Sequence, residues 1–452
     1  MKYFIVLALT LVVSISAVSV NFMSILDGIG IPSTIRTGKL PGDGNRETIF
    51  AAELSGKIWA IPEIGSPYVF VDLTNRVLPP NLSDGDYGFQ GMDFTNLKKD
   101  GLMYFYYAKN GTVGPSLNGN TIDPCNESTL TDIWNTTLYH HINVLEEWFY
   151  NENNGSVVFV RTLLNIKWPN GFNPGFSNLR IVDDLDNTLL VALGSATIFD
   201  RFNLAQDDDF PHGKLLALDV DDQGWEMTDP IAKISDISDE ISNFIAVVGK
   251  GLRNIVGLDI EKTGDGLIKY IGMTGESTAD SIFTFVDYED EKTGQMINFG
   301  WRAWEGSVDT KVVNDCGSRT TAYYQQAIDL AAKRWPSVLS YYHDDTNPNT
   351  ISASTIVGIA PYRGDIEGLK NKLIFADFSG FFPNGALAFT TVNKDNLKDL
   401  QSYEIITVTN DFPDFLNFYA DMSTSIDRKR MFIGIIHGFD PADGEIYEIV
   451  EP

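Results

Sequence analysis

Hydrophobic and polar positions along the chain alternate in short runs that are typical of β-strands. In four places such a run is followed, at or soon after a glycine, by a second run. The pairs are Ile49–Glu53 with Gly56–Ile61, Leu189–Leu193 with Gly213–Leu218, Leu373–Asp377 with Gly385–Phe389, and Met431–Ile436 with Gly444–Ile449. Strand pairs that recur at wide intervals are typical of a β-propeller. Helical spacing of apolar residues is scarce, with its clearest instance at Thr321–Arg334.

The length of 452 residues alone would allow two or three domains. Candidate strands nevertheless run from near residue 36 to the C-terminus, and no region is of low complexity. A single all-β domain of this length is large for a sandwich and normal for a propeller. We therefore predict one propeller domain over residues 20–452.

Residues 1–19 are predicted to be a secretory signal peptide. Lys2 precedes an apolar run from Tyr3 to Val13, and a candidate cleavage site follows at Ala17-Val18-Ser19. An uncleaved anchor is the alternative. No later stretch is long and apolar enough to span a bilayer. We therefore expect a secreted, extracellular protein without a stable membrane span.

Glycosylation motifs agree with export. The five Asn-X-Ser/Thr sequons have their acceptors at Asn81, Asn110, Asn126, Asn135 and Asn154. They are confined to residues 81–156, which predicts a glycosylated insertion around residues 110–156.

Only two cysteines, Cys125 and Cys316, occur in the chain. In an oxidising compartment two cysteines often pair, and a disulfide here would close a long loop and join an early segment to a late one. Two unpaired thiols are the alternative.

The formal net charge of -28 argues against nucleic acids and anionic membranes as partners, because both require positive surfaces. Solubility in an extracellular or vesicular fluid is the simplest interpretation. Acidic loops are also a source of the oxygen ligands that Ca²⁺ prefers.

Three stretches in order carry a family resemblance. They are Gly88-Phe89-Gln90-Gly91-Met92-Asp93-Phe94, then Ala205-Gln206-Asp207 with Gly213–Asp219, and finally Gly251-Leu252-Arg253-Asn254 followed by Asn298-Phe299-Gly300-Trp301 and Glu305-Gly306. Together they resemble the soluble glucose/sorbosone dehydrogenases, a quinoprotein family that includes aldose sugar dehydrogenases and the propellers of hedgehog-interacting proteins. The resemblance implies a six-bladed β-propeller, oxidation of a sugar hydroxyl or hemiacetal, and pyrroloquinoline quinone (PQQ) held over Ca²⁺.

The same resemblance implies a cofactor site. Arg253 and Asn254 match the pair that contacts PQQ in the family. Gly275 and Glu276 lie in the loop whose carbonyl groups hold Ca²⁺, with Glu276 in place of a proline, and Asp280 offers a further oxygen. The alternatives are that Arg253 pairs with an acidic residue of the channel, and that the loop is a solvated acidic turn.

Several positions depart from the family pattern. The family's catalytic histidine has no counterpart, because residues 173–180 read Asn-Pro-Gly-Phe-Ser-Asn-Leu-Arg. Ser195 stands in place of an aspartate, and Asp86 or Tyr87 in place of a glutamine. The arginines that clamp the quinone have no clear match, although Arg428 and Arg430 lie further on.

Oxidation of an alcohol requires a base within hydrogen-bond reach. The chain has five histidines, which are His140, His141, His212, His343 and His437. His212 and His437 stand at strand ends and are candidates to face the channel, and Asp200, Asp207 and Asp208 offer carboxylates. The alternative for each is a purely structural role, so the catalytic residue stays unassigned.

Two functions fit these observations. One is a secreted, quinoprotein-like sugar dehydrogenase with an altered or inactive site. The other is a non-enzymatic extracellular propeller that binds a glycan or a protein, and a structural matrix protein is a third. The combined departures favour binding, whereas the retained Arg253-Asn254 and the Asn298–Trp301 segment favour an enzyme.

Overall fold

The structure is a computed structural model. It describes residues 18–79, 87–94, 100–111, 139–169, 177–182, 188–196, 200, 202–221, 224–264, 266–290, 294–310, 321–343, 345, 350–352, 355–381, 384–409, 416–438 and 443–452. Within these ranges the fold is all-β, with its sheets in a propeller-like arrangement.

Three of the sheets have four strands each. The first contains β2 (Pro32–Gly38), β3 (Thr48–Glu53), β4 (Lys57–Pro62) and β5 (Tyr68–Asp72). The second contains β6 (Phe89–Phe94), β7 (Leu102–Asn110), β8 (His141–Asn151) and β9 (Ser156–Trp168). The third contains β14 (Asn254–Thr263), β15 (Gly266–Thr274), β16 (Ala279–Phe285) and β21 (Leu339–Tyr342).

The remaining sheets have six, two and eight strands. The six-stranded sheet runs β10 (Asn178–Val182), β11 (Thr188–Ala192), β12 (Lys214–Asp219), β13 (Ile245–Lys250), β18 (Gln295–Asn298) and β17 (Glu289–Asp290). A small ribbon pairs β19 (Trp304–Glu305) with β20 (Val308–Asp309). The eight-stranded sheet runs β22 (Ile356–Pro361), β23 (Leu373–Phe381), β24 (Asn384–Thr390), β25 (Tyr403–Val408), β1 (Ser19–Ile29), β28 (Gly444–Val450), β27 (Met431–His437) and β26 (Asn417–Thr424).

Helices are few among the described residues. They are a 3₁₀ turn at Ile234–Asp236, a short helix at Asp239–Ser242 and a longer helix at Thr321–Ala331. The longer helix confirms the prediction from helical spacing at Thr321–Arg334.

Six strands form a closed ring at the centre. β2, β6, β10, β14, β22 and β26 contact one another in this order, and β26 contacts β2 again. The N-terminal strand β1 pairs antiparallel with β28, so a strand from the start of the chain completes a sheet built by its end. Such pairing removes an open sheet edge and closes the ring.

Neighbouring ring strands run in the same direction. The Asn178 side chain of β10 donates to the Val256 carbonyl of β14, and two residues further along both strands the Arg180 side chain donates to the Leu258 carbonyl. The N-terminal ends of the ring strands therefore lie together, and we call this end of the ring the Arg253 end.

Hydrophobic side chains fill the spaces between adjacent sheets. Phe50 of β3 packs edge-on against Phe94 of the next sheet, with the ring centroids 4.8 Å apart. Leu164 of β9 and Leu189 of the sheet that follows belong to one buried apolar cluster. Burial of these apolar faces is the main stabilising contribution in stacked sheets.

The four predicted strand pairs are confirmed. Each pair forms antiparallel neighbours, namely β3 with β4, β11 with β12, β23 with β24, and β27 with β28. The predicted division into six blades is less direct, since one sheet has eight strands. That sheet consists of β22–β25, followed by β26–β28 together with β1. β1 links the two groups of four strands because it pairs with β25 as well as with β28.

Part of the predicted insertion around residues 110–156 belongs to a sheet. Residues 141–151 form β8, which pairs with β7 along its length, so they belong to the sheet. Asn110 ends β7, and Asn154 lies in the exposed turn before β9. The other sequons Asn81, Asn126 and Asn135, both cysteines Cys125 and Cys316, and residues 1–17 lie outside the described residues.

In the part of the chain that the structure describes, no helix has the length and apolar character needed to cross a membrane.

Candidate functional site

The second and third of the segments that carry the family resemblance meet at the Arg253 end. Gln206 and Asn298 exchange two side-chain hydrogen bonds of 3.0 and 2.8 Å. The Gln206 amide also donates to the Trp301 carbonyl at 2.5 Å, and the Trp301 N–H donates to the Gly251 carbonyl at 3.1 Å. Segments that are distant in sequence thereby fix the backbone on either side of Arg253.

Arg253 is held by one loop, residues 274–276, which we call the carbonyl loop. Its Nη1 donates to the carbonyl groups of Thr274 and Gly275 at 3.1 and 2.6 Å. Its Nε and Nη2 donate to Oε2 of Glu276 at 3.0 and 2.8 Å. The guanidinium also lies 5.5 Å from the ring centroid of Trp301, a distance at which an aromatic face attracts a cation.

Arg253 therefore forms an ion pair with an acidic residue, Glu276, at 2.8 Å, while its predicted contact with a quinone stays a prediction. Glu276 is not part of a solvated turn, because the side chains of Arg253 and Glu276 are only 10% and 9% exposed. A buried ion pair of this kind is strongly destabilised when one partner is removed.

Three buried oxygen atoms beside the carbonyl loop have no hydrogen-bond partner among the described residues. They are Oδ1 of Asn254, Oγ of Ser277 and Oε1 of Glu305. Asn254 pairs with Thr274 across β14 and β15, and the Ser277 N–H lies 3.4 Å from Oε2 of Glu305. Buried polar atoms without a partner are rare in folded proteins and mark places where water or a ligand completes the bonding.

Glu305 holds the chain just after the carbonyl loop. Its Oε2 accepts the N–H groups of Thr278 and Ala279 at 2.8 and 2.9 Å. Burial raises the pKa of Glu305 against the opposing effect of these bonds and of Arg253. Gly275 is required here, because an added Cβ would lie 2.4 Å from Oε2 of Glu305 and 2.1 Å from the Ala279 carbonyl oxygen.

Asp280 positions a histidine at the same end. Its carboxylate accepts the N–H groups of Gly275 and Ile356, each at 2.9 Å, and lies 2.9 Å from Nε2 of His343. Nδ1 of His343 makes no hydrogen bond to a described residue and is not enclosed, since the side chain is 16% exposed. An imidazole oriented by a carboxylate through one nitrogen and open at the other is the arrangement of a proton acceptor.

The pKa of His343 lies above its ordinary value. Burial lowers it, but the hydrogen bond and charge of Asp280 and the charge of Glu305 outweigh burial. His343 was one of the five histidines and had no separate reason for selection in the sequence analysis. The available signal was its position directly after the strand β21, which is the same kind of position that made His437 a candidate.

The two histidines that the sequence favoured have structural roles. Nε2 of His212 donates to the Lys167 carbonyl at 3.0 Å, and burial lowers the pKa of His212 to about 3. His437 is bonded at both nitrogens, to Asn417, Glu445 and Tyr447. His140 and His141 contact each other through their Nδ1 atoms at 2.9 Å, and burial lowers the pKa of His141.

Each of the three carboxylates that the sequence offers as a base has a hydrogen-bond or ion-pair partner. Asp200 accepts the N–H groups of Leu204 and Ala205 at 2.7 and 3.0 Å, and burial raises its pKa to about 6. Asp208 pairs with Lys250 at 2.7 Å. Asp207 accepts the N–H of Asp209 in a turn.

Arg428 and Arg430 do not reach the Arg253 end. They lie between β26 and β27, at the opposite end of the ring strands. Arg428 pairs with Asp259 at 2.7 Å, and Arg430 pairs with Glu448 at 2.6 Å. Neither is placed as a clamp for a quinone at Arg253.

The described residues do not fit the family's calcium and quinone site. The Gly275 carbonyl and the Glu276 carboxylate, predicted as calcium ligands, both accept bonds from Arg253. No group of three or more histidine, cysteine, aspartate or glutamate side chains is arranged for a metal ion in the described ranges. Four of the five N–H donors of Arg253 bond to the carbonyl loop, so little of its bonding capacity is left for a quinone, whereas Oδ1 of Asn254 has no partner among the described residues.

Comparison with known proteins gives matches among solved structures alone, because no protein-family model and no curated protein matches the chain. The PQQ-bound aldose sugar dehydrogenase of Streptomyces coelicolor is 13% identical with a TM-score of 0.57, over 96% of this chain and 98% of that one. A glucose dehydrogenase is 13% identical with a TM-score of 0.55, over 95% and 99% of the two chains. The calcium structure of a Trichoderma reesei carbohydrate-active enzyme of family AA12 is 13% identical with a TM-score of 0.57, over 97% of each. The resemblance seen in the sequence is thus confirmed as one of fold.

Proposed function

We propose that the protein is an exported six-bladed propeller that binds a sugar or a glycan at the Arg253 end, with quinone-dependent dehydrogenase chemistry altered or lost. Six blades follow when the eight-stranded sheet is divided into β22–β25 and β26–β28 with β1. β17 and β18 then extend the blade of β10–β13.

The observation that carries the proposal is the set of three buried oxygens around one loop, on Asn254, Ser277 and Glu305. Amide, hydroxyl and carboxylate oxygens accept hydrogen bonds from hydroxyl groups. A polyhydroxy ligand supplies several such donors, and ordered water supplies them when the ligand is absent. The hydroxyl groups of a sugar can therefore donate hydrogen bonds to the three oxygens that lack a partner at this end.

The structural neighbours support the same substrate class. Their names describe an aldose sugar dehydrogenase, a glucose dehydrogenase and carbohydrate-active enzymes. Loss of the quinone chemistry is supported by Arg253, whose donors bond to the carbonyl loop and Glu276.

A sugar oxidoreductase with an altered site is the second candidate function. The pair of His343 and Asp280 favours it, because this imidazole is oriented, partly exposed and next to the charges of Glu305 and Arg253. In that function His343 would accept the hydroxyl proton, and the hydride would have to pass to an external two-electron acceptor.

Export belongs to the proposal on the strength of the sequence. The signal-like residues 1–19 and the sequons support it. The last two residues of the predicted signal already belong to the fold, because Ser19 pairs with Thr407 in β1 and the Val18 carbonyl accepts the N–H of Thr407. A disulfide between Cys125 and Cys316 would fit the same compartment.

A sugar and glycan panel tests the binding function. Ligand-observed NMR and thermal unfolding should detect a saturable ligand for the secreted protein, and Asn254→Ala should weaken its binding by about tenfold through loss of one hydrogen bond. Asn153→Ala, in an exposed turn at the opposite end of the strands, should bind as the natural protein does. Absence of any saturable sugar or glycan, or equal weakening by both variants, contradicts the proposal.

Redox assays separate the two candidates. The protein is incubated with PQQ, Ca²⁺, a bound sugar and a redox dye. Binding without dye reduction supports the non-enzymatic function, whereas dye reduction that His343→Gln abolishes without loss of sugar binding establishes the oxidoreductase instead.

A further inference from the structure

Three successive residues of the carbonyl loop direct oxygen atoms at one positive group. The carbonyl oxygens of Thr274 and Gly275 and the Oε2 atom of Glu276 all lie within 3.1 Å of guanidinium nitrogens of Arg253. Carbonyl and carboxylate oxygens are the donor set that Ca²⁺ takes in proteins. The loop therefore has the chemistry of a cation site, and its cation is an arginine side chain.

We propose that Arg253 is a built-in cation: its guanidinium fills a site in the carbonyl loop that accepts a free Ca²⁺ once this side chain is removed. The proposal concerns the state of the loop and does not depend on whether a sugar binds. It replaces the calcium prediction for Gly275 and Glu276, because the same oxygens are already engaged.

The loop keeps its shape without a metal because both sides of its backbone are bonded. Its carbonyl groups accept from Arg253. On the other side, Asp280 accepts the N–H of Gly275, and Glu305 accepts the N–H groups that follow. The loop is thus arranged in advance, so that little reorganisation is needed for a cation to replace the guanidinium.

Arg253 is itself fixed in place. Its carbonyl accepts the N–H of Ser195 at 2.7 Å, and its guanidinium lies over Trp301. The Trp301 indole donates to Oγ of Ser195 at 3.2 Å. The side chain is therefore anchored at its backbone and at its charged end, which favours permanent occupation of the loop over exchange with a free ion.

The charges at the loop support the replacement of the guanidinium by a free cation. Arg253 and Glu276 are both largely buried and neutralise each other. Loss of the guanidinium removes its hydrogen bonds and positive charge from a buried carboxylate and two carbonyl oxygens, which is unfavourable unless another cation enters. A divalent ion would meet three preformed oxygen ligands there and complete its shell with water.

The test uses Arg253→Ala and Arg253→Met, the second of which keeps apolar contact with Trp301 if the first folds poorly. Each variant is freed of metal and titrated with CaCl₂ at constant ionic strength while thermal unfolding is followed. We expect both variants to unfold at a lower temperature than the natural protein, and Ca²⁺ to raise that temperature saturably by several degrees. Guanidinium ion at non-denaturing concentration should give a partial rescue.

Tb³⁺ provides a second readout. It occupies calcium sites, and Trp301 lies next to the vacated position, so tryptophan-sensitised terbium luminescence should appear in the two variants and be displaced by Ca²⁺. Arg430→Ala is the matched control, because Arg430 binds both oxygens of Glu448 but no loop carbonyl. This control and the natural protein should show neither saturable stabilisation nor sensitised luminescence.

Two results would overturn the proposal. One is Ca²⁺ or Tb³⁺ binding to the natural protein with the affinity of the Arg253 variants. The other is folded Arg253→Met that shows no saturable response to either ion. Sugar binding is measured separately, so its failure would leave this test unaffected.

Discussion

Two buried carboxylates at different places in the molecule behave in opposite ways. Asp259, in the interior of the ring, lies 3.0 Å from Arg180 and 2.7 Å from Arg428. Burial raises the pKa of Asp259, but the two arginines outweigh it and lower the pKa to about 2. Glu305, at the Arg253 end, has one oxygen without a partner among the described residues, and burial raises its pKa.

This difference between the two carboxylates distinguishes the ring interior, where Asp259 is fully paired, from the Arg253 end, where Glu305 can still accept a hydrogen bond. Asp259 joins β14 to β10 and to the turn after β26 through its two arginines, so its role is to connect ring strands. Glu305 binds backbone N–H groups through one oxygen only. A carboxylate that is buried and incompletely bonded is the kind of group found at ligand sites.

The largest effect is expected for Asp259→Asn. This change removes the carboxylate charge shared by Arg180 and Arg428, which are 15% and 19% exposed, and leaves Arg180 only the longer contact with Asp93 at 3.7 Å. We expect the free energy of unfolding to fall by roughly 3–5 kcal/mol. Urea denaturation at neutral pH measures it. A loss below about 1 kcal/mol would mean that Asp259 contributes no more than an ordinary surface ion pair, and would contradict its role in connecting the ring strands.

The pH dependence of stability should have opposite signs at the two carboxylates. The pKa of Asp259 falls from 3.8 to about 2 on folding, so its contribution is present above pH 3.8 and disappears as the pH falls through about 2. That contribution amounts to roughly 2 kcal/mol. For Glu305 the folded pKa is raised, so its contribution is present below its ordinary pKa of 4.5 and is lost as the pH rises through the folded value.

Denaturation of the natural protein, Asp259→Asn and Glu305→Gln between about pH 2 and pH 8 checks these signs. The stability difference between natural protein and Asp259→Asn should shrink towards low pH. The difference from Glu305→Gln should shrink towards high pH. If both differences move in the same direction, the two carboxylates do not differ as described.

The smallest effect is expected for Glu305→Gln at neutral pH. Glutamine keeps an acceptor for the N–H groups of Thr278 and Ala279 and removes a buried charge, so we expect a change within about 1 kcal/mol. Asp365→Asn gives a reference for an exposed ion pair, because Asp365 and Lys370 are 87% and 61% exposed. A loss from Glu305→Gln as large as that from Asp259→Asn would show that Glu305 is structural too.

Local pattern explains what the sequence could predict. The strands beginning at Ile49 and Met431 are recognisable because alternation of side chains is a property of neighbouring residues. The Arg253-Asn254 and Asn298–Trp301 segments could be recognised as motifs, and they do converge at one end of the ring. Recognising these two short segments was therefore enough to predict which end of the ring holds the candidate site.

The partners within the site could not be predicted, because they come from distant parts of the chain. His343 meets Asp280 only after β16 and β21 pair. The replacement of a proline by Glu276 was visible in the sequence, but its consequence was not, since only the folded loop brings Glu276 to Arg253. Strand-end position favoured His212 and His437 for the same reason, although tertiary contacts give both of them structural partners.

A crystal structure of the natural protein grown in excess CaCl₂ tests the central claim most directly, with anomalous diffraction to identify calcium. We predict the Arg253 guanidinium at the carbonyl oxygens of Thr274 and Gly275, with no anomalous peak at the carbonyl loop and with ordered water or ligand beside Asn254 and Glu305. A calcium ion bound by those carbonyl oxygens, with Arg253 turned away from Glu276, would contradict the claim that this end of the ring is built without a metal.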